Sequence, residues 1–99
     1  MNDTTEFTIR TLSVINGQAN AAGNRLLASF NMEIAGMFIT GCVLILKADG
    51  TVSAAGPAGK SRNNVAINTR IADEVLARAV TERACRIYEL FTGRDLEAE

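Results

Sequence analysis

The sequence predicts an α+β fold: a small antiparallel β-sheet of four or five strands followed by one long C-terminal helix. Three observations predict it. Residues 25–34 alternate apolar and polar side chains with period two, and residues 37–47 are an apolar run of strand length. Residues 69–93 then switch to a helical period with capping residues at both ends. A chain of 99 residues with 47% hydrophobic content suffices for one domain, expected over 1–99 with 1–6 and 94–99 as frayed tails. So small a domain has little core for its surface and gains core by pairing with a copy of itself, so a homodimer is expected.

The first strand is "FTIRTLSVI" (Phe7–Ile15), rich in β-branched residues although its alternation is imperfect. "NGQANAAGN" breaks it. In the second strand Leu26, Ala28, Phe30, Met32 and Ile34 alternate with Arg25, Ser29, Asn31 and Glu33, and only Leu27 is apolar on the second face. "MFITGCVLILK" (Met37–Lys47) is apolar on both faces, as a central or doubly covered strand must be, and Gly41 within it marks a bulge or a close backbone contact. Asp49-Gly50 signals a hairpin, because it tolerates the positive φ of a two-residue turn, and "TVSAA" returns as the next strand. "NNVAIN" offers at most a short strand.

The helix follows, with Asn68 or Thr69 as N-cap, Asp73 and Glu74 in its first turn and Gly93 just past its end. Ala72, Leu76, Ala79, Val80, Ile87, Leu90 and Phe91 fall on one face, while Glu74–Arg78 and Glu82–Arg86 make i,i+4 pairs on the other, where Tyr88 also lies. Arg83 falls inside the apolar arc. Either its stem packs while the guanidinium reaches solvent or a helix partner, or it joins an ion pair at a dimer interface.

"AAGPAGKS" (Ala54–Ser61) is one substitution from the P-loop pattern, which needs a glycine at Ala54. A phosphate cradle must open directly into a helix, whereas here Gly-Lys-Ser runs into a strand-like Val-Ala-Ile. The stretch is expected to be a flexible loop, with Gly56 and Gly59 giving mobility and Pro57 ending the strand. Catalysis is poorly supported: the chain has no histidine, and its carboxylates cluster on the acidic helix. Cys42 and Cys85 sit in apolar surroundings without metal-ligand spacing, as inert thiols of a reducing cytosol. No catalytic residue, metal site or cofactor is expected. The N-terminus has no basic region followed by an apolar core, and no apolar run approaches a membrane span, so a soluble, cytoplasmic protein is expected.

The net charge of −1 is unevenly spread: residues 7–72 are basic and residues 73–99 acidic. Residues 51–72 contain no acid, and there Lys60, Arg62 and Arg70 accompany Ser61, Asn63, Asn64, Asn68 and Thr69, side chains suited to phosphate and sugar. The alternative is that these are ordinary solvated loop cations. Phe7, Phe30, Phe38 and Phe91 fit core positions, so no aromatic platform for single strands is evident.

In order, "FTIRTLSV", "RLLASFNMEIAGMFITGCVLIL", "TVSAAGPAGKSR" with its Pro-x-x-Lys character and "INTRIADEVLARAVTERACRIYELF" resemble the SpoVG (stage V sporulation protein G, septation regulator) family over Phe7–Phe91. The resemblance implies a dimer of small β-sheets with a helix in each protomer, acting as a bacterial regulator that binds DNA more readily than RNA. It implies DNA contact by a basic stretch at the start of the C-terminal helix, matched here by Arg70 and Arg78, with Lys60 and Arg62 matching the basic loop. Here that loop is glycine-rich and shortened, and the helix is net acidic. The functional expectation is a homodimeric, non-enzymatic nucleic-acid-binding regulator using Lys60, Arg62, Arg70 and Arg78, with Arg25 and Arg10 in support. The alternative is a protein-interaction module whose strand 37–46 and helix face form the interface, without nucleic acid; a small enzyme ranks last.

Overall fold

The imperfect alternation of the first strand has a structural cause. In the computed structural model, which describes residues 6–93 and only the backbone of Lys60, Ile67 and Asn68, strand β1 (Phe7–Val14) pairs antiparallel with β2 (Arg25–Ile34), and Arg10 is an extra residue. Ile9 faces Met32 and Thr11 faces Asn31, so the bulge at Arg10 returns Leu12 to the core row of Phe7 and Ile9. A second bulge, at Leu27, lies between the pairs Leu26–Ile45 and Ala28–Leu44. It buries Leu27 together with Ala28 and leaves Leu26 half-buried, against the strict alternation expected.

A third bulge, at Thr40–Gly41 of β3 (Met37–Leu46), lies opposite Asn31, whose Oδ1 accepts the Gly41 N–H at 3.1 Å. Gly41 has φ +85°, the conformation this bulge requires, as its place in the sequence suggested. Strand β4 (Val52–Ala55) completes the sheet, whose order is β1-β2-β3-β4. The β3–β4 connection is a three-residue loop rather than a two-residue turn: Lys47 N–H donates to Thr51 O, and only Gly50 takes positive φ. Central β3 is not doubly covered, since Met37 and Phe38 remain exposed, Phe38 by 70%.

The segment expected to be a flexible loop is a second sheet, formed by β5 (Ala58–Lys60) and β6 (Ala66–Asn68) paired antiparallel. The Gly-Lys-Ser therefore ends a strand and enters a turn, not a helix. Gly56 is no hinge either. It is buried against Thr69, whose carbonyl accepts its N–H at 3.1 Å, and an added Cβ would meet the Thr69 Cβ at 2.7 Å.

Helix α1 (Glu74–Thr92) starts later than expected. The Thr69 carbonyl is held by Gly56, and the cap is Asp73, whose carboxylate accepts from the N–H of Val75 and Leu76 at 2.9 and 3.2 Å. Gly93 ends the helix in the left-handed region (φ +73°), donating to Glu89 O, as expected. The buried stripe is Val80, Ala84 and Tyr88, all fully enclosed against Leu27, Ala28, Phe30, Met32, Ile34, Cys42 and Leu44 of the sheet. It is rotated from the expected face. Leu90 and Phe91 point to solvent, and Tyr88 is buried because its hydroxyl donates to Asn16 Oδ1 while its ring packs. Ala84 has the small side chain that lets a helix approach a sheet closely.

Among the described residues the one ion pair within 4.0 Å is Arg10–Glu33, so the expected Glu74–Arg78 and Glu82–Arg86 pairs are not closed. Arg83 lies over the Phe7 ring at 5.1 Å. Cys42 is a buried thiol whose pKa is raised by that burial, and Cys85 is half-buried. No described helix is long and apolar enough to cross a membrane.

Candidate nucleic-acid interface

The β5–β6 ribbon leaves the sheet where Ala55, the last residue of β4, gives way to Gly56 and Pro57. Its strands pair with each other, and among the described residues they pack substantially on no other element. Three pairs and a closed turn carry the tip roughly 15 Å from its foot, at about 3.3 Å per residue. Ala58, Gly59 and Ala66 on its strands are exposed, and among the described residues nothing lies within 4 Å of the place a Gly59 Cβ would occupy.

The tip repeats the design of the β3–β4 loop. Ser61 N–H donates to Val65 O at 2.8 Å, and Asn64 N–H donates back to Ser61 O at 2.9 Å. Asn64 takes positive φ (+65°) where Gly50 takes it (+92°) in the other loop. The Ser61 hydroxyl also accepts from Val65 N–H at 3.2 Å, which closes the turn from within. The two corner residues between these bonds, Arg62 and Asn63, are exposed and make no hydrogen bond among the described residues.

The sequence-predicted cations divide into groups. Arg62 stands at the ribbon tip and Arg70 at its foot, one residue after the Thr69 that is bonded to Gly56; both are exposed. The backbone of Lys60 ends β5 opposite Ala66, and its side chain lies outside the described residues. Arg70 is not at the start of the helix but three residues before the Asp73 cap. Arg78 is exposed on α1 itself, with Glu74 and Glu82 four residues to either side.

Arg25 does not join them. It is half-buried, its Nε donates to Gly17 O at 3.0 Å, and it pairs with Leu46 at the sheet end opposite the ribbon. Arg10 is engaged as well, donating to Glu33 Oε1 at 2.9 Å and lying 5.9 Å from the centre of the Phe38 ring. Phe38 and Phe91, expected in the core, are exposed. What the sequence reading missed is the ordered tip; its signal was Asn-Asn after Ser, since asparagine tolerates positive φ and serine closes such turns.

A separate groove of about 330 Å³ runs between the β3–β4 hairpin and α1, lined by Val52, Thr81, Glu82, Cys85, Arg86 and Glu89. No three His, Cys, Asp or Glu side chains gather among the described residues into a metal site. Compared with models of known protein families, with curated proteins and with solved structures, the chain finds no match.

Proposed function

We propose that this chain is a cytoplasmic, homodimeric bacterial regulator that binds nucleic acid and is not an enzyme. One observation carries the reading: the acid-free segment 51–72 builds a projecting ribbon that holds Arg62 at its tip and Arg70 at its foot. Both cations are unpaired among the described residues, so neither has to break an internal contact to meet a phosphate. Lys60 and Arg78 join them on sequence grounds. Arg25 spends its Nε on the Gly17 carbonyl, at the far end of the sheet from the ribbon. The resemblance to the SpoVG family and the absence of histidine point the same way.

The test is a fluorescence anisotropy titration with labelled duplex DNA, single-stranded DNA and RNA at two salt concentrations. Binding that weakens with salt is expected, because neutralised phosphates release counterions. The double substitution Arg62→Ala/Arg70→Ala should reduce both the affinity and its salt slope. Unchanged binding refutes the assignment.

A second reading is favoured by a different observation. Met37 and Phe38 on the sheet, and Leu90 and Phe91 on the helix, are exposed by 55–79%. Large apolar groups left in water mark an interaction surface, here the surface of a homodimer or of another protein partner. Sedimentation of wild type and of Phe38→Ser separates these: a monomer in both cases removes the dimer, while flat nucleic-acid titrations with an intact dimer leave a protein-interaction module.

A further inference from the structure

The nucleic-acid reading leaves open which polymer the ribbon meets and whether it reads sequence. Resting on that reading, we infer that the ribbon enters the major groove of duplex DNA tip-first, where Arg62 and Asn63 read base edges while Arg70 at the foot holds the phosphate backbone.

Shape comes first. The major groove of B-form DNA is about 12 Å wide and about 8.5 Å deep and admits a two-stranded ribbon. The β5–β6 ribbon is two strands wide and long enough, at three pairs and a turn, to reach its floor. The ribbon has no aromatic residue on which unpaired bases could stack, and the A-form major groove of duplex RNA is too deep and narrow to admit it.

The chemistry of the tip comes second, and the chain contains its own comparison. In the β3–β4 loop the corner residues are Ala48 and Asp49, and Asp49 folds back to accept from the Thr51 hydroxyl at 2.6 Å and the Thr51 N–H at 2.9 Å. That loop consumes its polar corner side chain in building itself. In the ribbon tip Ser61 does the building, so among the described residues the Arg62 and Asn63 side chains take no hydrogen-bond partner and face an outside one. Arginine forks onto the O6 and N7 of guanine, and asparagine pairs with the N6 and N7 of adenine. The side chains that recognise the two purines thus stand adjacent and exposed at the tip of the ribbon. Arg70, set back at the foot, is placed for the groove wall.

The experiment selects a preferred duplex from a random pool with the full chain, then measures anisotropy on that duplex, a scrambled duplex, the corresponding single strand and the duplex RNA of the same sequence. Wild type should prefer the selected duplex. Arg62→Lys and Asn63→Ala should each shrink that preference by roughly 5- to 150-fold, the range of one bidentate base contact. Arg62→Lys should keep its salt slope, because the charge remains while the fork is lost. Arg70→Ala should weaken both duplexes alike and lower the salt slope by about one.

Binding of duplex DNA with no selected sequence, tighter binding of the single strand or of duplex RNA, or an unchanged preference in Asn63→Ala and Arg62→Lys overturns this inference and leaves the broader reading standing. No binding of any polymer overturns both. Circular dichroism of the exposed-tip variants confirms that each retains its fold.

Discussion

Gly56→Ala offers the sharpest test of how the ribbon is anchored. A Cβ at this buried position would lie 2.7 Å from the Thr69 Cβ, 2.8 Å from its Cγ2 and 3.0 Å from its carbonyl oxygen. The last of these accepts the Gly56 N–H, so the two backbones cannot part without breaking that bond. The φ of Gly56 is not in the left-handed region, so the penalty is steric. Overpacking of this kind costs about 1–3 kcal/mol. Alanine recovers about 0.4–1 kcal/mol by restricting the unfolded chain. A net loss of about 1–2 kcal/mol should then lower Tm by roughly 4–16 °C in a domain of this size. Gly59→Ala is the internal control, since its Cβ would meet nothing within 4 Å among the described residues. Urea denaturation followed by far-UV circular dichroism should show a lower midpoint for Gly56→Ala and no loss for Gly59→Ala. Adding Thr69→Gly removes the two nearest atoms and should make the pair less destabilising than the sum of its parts. Equal midpoints for the two alanine variants would refute the close crossing at the ribbon foot.

Three further predictions concern the frame. Hydrogen bonds from the Thr51 hydroxyl and amide hold the Asp49 carboxyl below its usual pKa of 3.8. Its contribution is therefore present above the unfolded-state pKa and is lost as pH falls through the lower folded value. Asp49→Asn should flatten that part of the acid-side decline in the urea midpoint, and parallel pH curves would remove the turn from the account. Tyr88→Phe keeps the buried ring and loses the bond to Asn16, an exposed residue that water can satisfy, so about 0.5–1.5 kcal/mol should be lost; Tyr88→Ala should lose about 3–5 kcal/mol. Arg83 over Phe7 should show a coupling of about 0.5–1 kcal/mol in a double-mutant cycle with Arg83→Gln and Phe7→Leu, and a coupling of zero would mean a chance approach.

Local patterns carried much of the fold. The alternation from Arg25, the apolar run from Met37, the strand after Asp49-Gly50 and the closing glycine at Gly93 each report a backbone preference that needs no distant partner, and all four elements stand where those patterns put them. Bulges are harder to read, because one extra residue changes which side chains face inward without changing composition. Leu27 and Arg10 show this, whereas Gly41 announced its bulge by being a glycine. Of the candidate site, Arg62 and Arg70 were legible as cations in an acid-free stretch, but their separation from Arg25 and Arg10 was not. Those two are held by Gly17 and by Glu33, partners 8 and 23 residues away.

The sequence by itself determined the α+β order, the strand and helix periods, and the basic middle of the chain, since each depends on neighbouring side chains and backbone propensity. Tertiary structure alone decided which helix face is buried. Tyr88 falls on the polar face by helical spacing and lies inside because Asn16, 72 residues away, meets its hydroxyl. It also decided that the glycine-rich stretch is a ribbon rather than a loop, because Gly56 needs Thr69 across its foot and β5 needs β6 beside it.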